Sequence, residues 1–215
     1  MNPVRAGLAP GPGIMYPGSM SETATTNRQA RIRGVLARRQ KDLTLVLDNI
    51  WDPHNVSAIL RSCDAFGVLR VHLYYTTEKW PDIGHKTSGS ARKWMERQNH
   101  NDGPAMIEGL RATGHQIVRT GFSDQARPHY DFDFTRPTAV ILGNEHRGVS
   151  PELIALVPDE MYIPMQGMIP SLNVSVASAV ILYEAFSQRR VKGFYERQSL
   201  SAEEIEGFVG DWAGR

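Results

Sequence analysis

Residues 163–185 read IPMQGMIPSLNVSVASAVILYEA, and two unlike halves meet inside that stretch. The first half, residues 164–170, places two prolines and a glycine in an apolar run, so it continues neither a strand nor a helix. Its backbone groups need partners elsewhere in the chain or in a ligand. The second half opens at Ser171, Leu172 and Asn173 and reads as a long helix with Val174, Val176, Ala177, Val180, Ile181 and Ala185 on its apolar face. Ser175, Ala177, Ser178 and Ala179 keep that helix thin, which lets another backbone come close.

Outward from this stretch, strand and helix signals alternate. Residues 43–47 (LTLVL) and 138–142 (TAVIL) are apolar runs of buried-strand type, and residues 69–74, 94–98, 116–120 and 160–163 read as further strands. Helices are expected at 27–40, from Asn55 to a stop at Gly67, at 104–112, and at 151–156, where Ser150 caps and Pro151 takes the first position. Residues 84–92, 122–133 and 143–149 read as loops and turns. The alternation implies an α/β fold, a mostly parallel sheet flanked by helices on both faces. Residues 1–26, rich in Gly and Pro near the start, read as a disordered leader, with Met20 as an alternative natural start. Residues 27–215 then form a single domain.

The chain of 215 residues is 41% hydrophobic, enough to fill one globular core. It has no apolar run of membrane-spanning length and no signal-peptide pattern, so a cytoplasmic location is the default expectation. The single cysteine, Cys63, excludes an internal disulfide and a cysteine-rich zinc site, and its place on an apolar helix face reads as a buried thiol. No metal site is expected. A net charge of +1 hides a segregated pattern. Arg28, Arg31, Arg33, Arg38, Arg39 and Lys41 form one basic block, Arg189, Arg190, Lys192 and Arg197 a second, and Glu203, Glu204, Glu206 and Asp211 compensate near the C-terminus. Such blocks are either solvated helix faces or contacts for a polyanion.

Open parallel sheets bind ligands beyond the carboxyl ends of their strands. Three segments meet that criterion: residues 48–61, 143–149 and 164–173. The first is not a G-x-G-x-x-G turn, and the second, GNEHRGVS with Ser150, lacks the Gly-Lys-Ser/Thr ending of a phosphate-binding loop. A standard dinucleotide or ATP site is therefore not expected.

Taken together, NVSAILRSCDAFGV (55–68), ILGNEHRGVSPELI (141–154) and the opening stretch resemble the three motifs of the SpoU branch of the SPOUT RNA 2′-O-methyltransferases. The likeness runs from about Asn27 to Trp212 and is greatest to the members acting on the D-loop guanosine at tRNA position 18. The resemblance implies a deep trefoil knot at the C-terminal end of the domain, a homodimer, and S-adenosylmethionine held by the knotted loops. It assigns Thr120, Leu142, Gly143, Ile163, Met168, Ser171 and Leu172 to the cofactor, with Gly143 and Gly167 letting backbone approach it. Arg61, Asn55, Glu145 and Asn173 match the family's catalytic positions. Arginine stays protonated, so Arg61 reads as an electrostatic element that binds a phosphate and stabilises a developing alkoxide. Asn55 also reads as a helix N-cap, and Glu145 as a group orienting Arg61 or the Gly143 turn. The basic blocks become helical extensions for tRNA, with Arg28, Arg31, Arg38, Arg39, Arg189 and Arg190 as phosphate contacts. Within the same fold, the alternatives are action on the wobble ribose or ribosomal RNA, and a non-catalytic RNA-binding module.

Overall fold

The structure is a computed structural model, and it describes residues 22–81 and 91–215. The chain runs α1 (Glu22–Leu36), β1 (Leu43–Asp48), α2 (Pro53–Ala65), β2 (Arg70–Tyr74), β3 (Glu96–His100), α3 (Gly103–Ala112), β4 (Gln116–Thr120), β5 (Arg127–Pro128), β6 (Thr138–Leu142), α4 (Pro151–Leu156), β7 (Glu160–Tyr162), α5 (Val174–Val191) and α6 (Ala202–Ala213). The strands form one sheet in the order β3-β2-β1-β6-β4-β7-β5, and all the pairings are parallel.

The apolar runs become central strands because both of their faces are covered. Leu45, Leu47, Val140 and Leu142 point to one side, where they meet Ile59, Leu60 and Cys63 of α2 and Ile181, Leu182 and Ala185 of α5. Val46, Ala139 and Ile141 point to the other, against Met106, Ile107 and Leu110 of α3 and Leu153 of α4. The period of two along a strand therefore appears as an unbroken apolar run. Burial pushes the Cys63 thiol well up, which suits a packing residue and not a nucleophile. A third, smaller core joins α1 to α6 through Ile32, Leu36, Ile205, Val209 and Trp212.

Several expected boundaries move. The helix expected at 27–40 is α1 and starts earlier, so residues 22–26 of the expected leader are helical; residues 1–21 lie outside the described residues. The loop expected at 84–92 falls mostly outside them too. Strand β3 covers Glu96–His100 because Ala91–Trp94 is a short 3-10 turn, and its polar sequence ERQNH suits an exposed edge strand. The loop at 122–133 contains β5, two residues that pair with β7. Ser150 takes the N-cap position of α4 without a side-chain bond; instead its backbone N–H donates to Asp48 at 2.6 Å.

Two arginines expected at an RNA surface are interior. Arg189 of α5 is fully buried: it pairs with Asp42 at 2.6 Å and donates to the carbonyls of Phe134 at 2.8 Å and Arg136 at 3.1 Å. Its neighbour Gln188 accepts from the Phe134 N–H at 2.9 Å and donates to the Phe132 carbonyl at 3.1 Å. Arg39 is 1% exposed, paired with Asp64, bonded to the carbonyls of Val68 and Trp94 at 2.9 Å, and stacked over Trp212. Neither guanidinium is available to a phosphate, because each saturates backbone carbonyls that the fold has buried.

Breaking a buried pair by removing one partner costs about 3–5 kcal/mol. Arg189→Ala is expected to lose that much unfolding free energy in a urea titration, and a loss under about 1 kcal/mol would contradict the role given to it. Stability also has a histidine signature. Burial, then His100, Arg70 and His115, hold His72 down to about 3. Its Nδ1 lies 2.9 Å from His100 Nε2. Unfolded histidine binds a proton near pH ~6.5, so the contribution is complete above that value and declines as pH falls below it. His100 and His115, also lowered by burial, act in the same direction. Unfolding free energy should therefore fall between about pH 6.5 and 5, and less steeply in His72→Gln.

Candidate active site

The three segments expected beyond the strand ends do converge, and a chain of side-chain hydrogen bonds links them. Helix α2 begins at Pro53, not at Asn55, because Asp52 is the N-cap and accepts from the His54 N–H at 2.8 Å. That frees the Asn55 side chain. Its Nδ2 donates to Glu145 at 2.7 Å, and its Oδ1 accepts from Asn173 Nδ2 at 3.1 Å. Asn173 in turn caps α5, accepting from the Ser175 N–H at 2.8 Å. Glu145 accepts, besides Asn55, the backbone N–H groups of Trp51 at 2.8 Å and Asp52 at 3.2 Å. One residue from each family-like motif thus takes part in a single network.

Glu145 is presented by a loop that closes on itself. Asn144 and Gly148 exchange backbone bonds of 2.9 and 2.8 Å, and the Asn144 side chain accepts from the His146 and Arg147 N–H groups at 2.9 and 3.2 Å. A Cβ on Gly143 would lie 2.2 Å from Gly148 and Val149 backbone atoms. Glycine there is required by the loop's own closure, whereas Gly167 has open space around it. Beneath the loop, Asp48 accepts from Asn49 and Ser150, and burial holds its carboxyl above the ordinary range against those bonds. Asn49, at φ 50°, accepts three consecutive N–H groups, those of Thr76, Thr77 and Glu78. These scaffold residues were not singled out in the sequence; an Asp-Asn pair directly after a buried strand is the available signal, since Asn tolerates positive φ.

Beside the network, a small cleft of about 50 Å³ opens between the ends of β4 and β7 and the head of α5. Thr120, Ile163, Ser171 and Leu172 line it as expected, together with Gly121, Phe122, Tyr162 and Met165, which the sequence reading did not name. Their position immediately after strand ends is the signal that finds them. The Thr120 hydroxyl is bonded to the Ile141 carbonyl at 3.1 Å. Leu142 is fully buried in the core, Gly143 is buried in its loop, and Met168 is fully exposed at the tip of the 164–170 segment, so none of these three lines the cleft. The turn after β4 is anchored by Glu160, which accepts from the Ser123 N–H and hydroxyl at 3.0 and 2.5 Å and pairs with Arg119 at 2.7 Å. Burial alone would raise the Glu160 carboxyl; the Ser123 and Arg119 contacts together hold it below the ordinary range.

Arg61 projects from α2 into solvent and, among the described residues, has no hydrogen-bond or ion-pair partner; Glu145 does not reach it. Arg28, Arg31, Arg38 and Arg190 are exposed. Arg33 and Lys41 of the first basic block are paired with Glu206 and Glu204 of α6. Among the described residues no cluster fits a metal ion, and no helix is long and apolar enough to cross a membrane.

A parallel sheet with a polar network across three strand-end loops and a cleft beside a capped helix is a ligand-site architecture shared by many enzymes, and sequence comparison narrows it: the chain belongs to the SpoU rRNA Methylase family, whose model matches residues 42–183. Within that family it is 45% identical over 188 residues to the tRNA (guanosine(18)-2'-O)-methyltransferase of Thermus thermophilus, a match covering 87% of this chain and 96% of that one. Among solved structures it superposes on the A. aeolicus TrmH/SpoU tRNA modifying enzyme with a TM-score of 0.84 at 41% identity, over 89% of this chain and 97% of that one. AviRb of Streptomyces viridochromogenes, crystallised in complex with the cofactor AdoMet, matches at TM-score 0.61 and 30% identity over 72% of this chain and 60% of its own.

Replacing Glu145 with Gln removes the charge and one acceptor oxygen. Hydrogen bonds to a charged group contribute about 1.5–3 kcal/mol, so Glu145→Gln is expected to lose about 2 kcal/mol and to speed amide exchange at Trp51 and Asp52. Unchanged exchange at both amides would remove Glu145 from the centre of the network.

Proposed function

We propose that this chain transfers the methyl group of S-adenosylmethionine to a ribose 2′-oxygen of tRNA, with the D-loop guanosine at position 18 as target, and that it works as a cytoplasmic homodimer. The observation that carries the reading is the Asn173–Asn55–Glu145 network beside the cleft, in a chain that covers 96% of a relative named for that reaction at 45% identity. The cleft fits the cofactor in kind. Ile163, Leu172 and Met165 supply apolar walls, and Ser171 and the backbone after β4 supply polar groups. Its volume of about 50 Å³ is below the roughly 300 Å³ that small-ligand sites start from, so binding requires residues 164–172 to move outward. Met168 and Ile169 at that loop's tip are exposed and have room to do so. Leu142 and Gly143 then act from behind, as floor and loop closure.

Bound there, S-adenosylmethionine supplies an electrophilic methyl group. The chain's own residues align the ribose and manage charge. Asn173 caps α5 and fixes Asn55; Asn55 and Glu145 fix the entry of α2, which presents Arg61. The Arg61 guanidinium, exposed and without an internal partner among the described residues, holds the phosphate next to the target ribose and favours the negative charge that builds on the 2′-oxygen. A guanidinium is a donor and not a base, so the 2′-hydroxyl proton leaves to that phosphate or to water. Arg28, Arg31, Arg38 and Arg190 serve as further phosphate contacts. Support for the dimer comes from Val176, Tyr183 and Val191, apolar side chains that α5 leaves exposed. Support for the knot comes from the bonds that tie Gln188 and Arg189 of α5 to residues 132–136 of the β4–β6 connection.

Purified protein is expected to move labelled methyl from S-adenosylmethionine to an unmodified tRNA transcript, with the product ribose mapped to the D-loop guanosine. Arg61→Ala should lower kcat by roughly 10²–10³-fold, the usual effect of removing a charge-stabilising donor, while cofactor binding in calorimetry persists. Methylation mapped to the wobble ribose or only to ribosomal RNA would replace the substrate assignment, and full turnover in Arg61→Ala would remove that residue from the mechanism.

A further inference from the structure

Trp51 is 59% exposed although it follows Asp48, Asn49 and Ile50, each at most 3% exposed. Its backbone is among the most firmly held in the site. Glu145 accepts its N–H at 2.8 Å, the Tyr75 hydroxyl donates to the preceding Ile50 carbonyl at 3.0 Å, and Asp52 and Pro53 begin α2 directly after it. The ring meets His146, from the loop after β6, edge-on at 5.4 Å and 67°. His146 is itself exposed. Two aromatic rings from two site loops therefore stand together in solvent, at the outer end of the hydrogen-bonded network that starts at the cofactor cleft.

Core packing does not account for this placement, because more than half of the indole surface lies in water. A rigidly supported, exposed indole beside an RNA-modifying centre has one ready chemical use. Unpaired bases are recognised by stacking on aromatic side chains, and every base has a face to offer. A base held flat on Trp51 would also restrict its own ribose, which has to present the 2′-oxygen in line with the methyl group. Resting on the tRNA methylation reading, we propose that Trp51, with His146 at its edge, is the platform on which an unpaired nucleobase of the RNA substrate stacks, and that it positions the target ribose. The Trp51 N–H and not its side chain serves Glu145, so the ring can be changed without dismantling the network.

The test uses the full-length protein, an unmodified tRNA transcript and the variants Trp51→Phe and Trp51→Leu. Trp51→Leu is expected to raise the KM for tRNA roughly tenfold, the order that one base–aromatic stack contributes, with the KM for S-adenosylmethionine and the melting temperature unchanged. Trp51→Phe, which keeps an aromatic face, should stay within about threefold of the parent. The indole emission present in the parent and missing in Trp51→Phe should be quenched on adding tRNA. An unchanged tRNA KM in Trp51→Leu together with no quench overturns the proposal. So does loss of dimer mass in sedimentation of Trp51→Leu, which would make the ring a contact between two copies of the chain. If the parent protein methylates no tRNA, the reaction assignment fails, while the quench, which needs only RNA, still decides the stacking.

Discussion

One carboxylate sets how the two helices of the site stand relative to each other. Glu145 is acceptor-only with two oxygens, and it meets three donors: two backbone amides that lead into α2 and the side chain of Asn55. Asn55 then passes the connection to Asn173 at the head of α5. The apolar contact of α2 with α5, through Ile59, Leu60, Ile181 and Leu182, fixes their separation but tolerates sliding. The polar chain removes that freedom, because hydrogen bonds are directional where apolar contact is not. Arg61 and the cleft at the head of α5 inherit their relative positions from it.

The basic residues divide between two jobs that composition does not distinguish. Arg39 and Arg189 sit inside, each holding several carbonyls that would otherwise be buried without donors. Guanidinium suits this work, with five donors on one rigid plane. Arg33 and Lys41 are neutralised by the acidic residues of α6. Of the two blocks, Arg28, Arg31, Arg38, Arg190, Lys192 and Arg197 remain outward without an acidic partner among the described residues, as does Arg61 of α2. The near-neutral total is thus no argument against a cationic RNA face, since the acids of α6 balance arginines and lysines that are already engaged.

Much of the architecture was legible in the residue pattern, for physical reasons. The runs at β1 and β6 and the period of α2 carry strong apolar signals because they are buried on both faces or along a full stripe. Strand β3 was misplaced by two residues because an exposed edge strand has no apolar face to display. Of the site, Asn55, Glu145 and Asn173 were found through motif likeness, and the structure brings them together. Their individual bonds were not legible: Asn55 reads equally well as a cap, and only the position of Asp52 one residue before Pro53 shows why it is free. Arg39 and Arg189 look like their exposed neighbours Arg38 and Arg190 in any linear reading, since burial of a long charged side chain depends on distant carbonyls and carboxylates.

Helix α5 is held at both ends by distant parts of the chain, and that has a consequence for biosynthesis. At its head Asn173 reaches back 118 residues to Asn55, and near its tail Arg189 reaches back 147 residues to Asp42. Contacts so far apart in sequence form late and slow folding. A nascent chain that has not yet released Arg189 from the ribosome carries Asp42 without its arginine and the sheet face only partly covered, by α2 alone. The intermediate is exposed to misassembly until α5 emerges and docks. The site therefore takes its final form only once α5 has been made and docked.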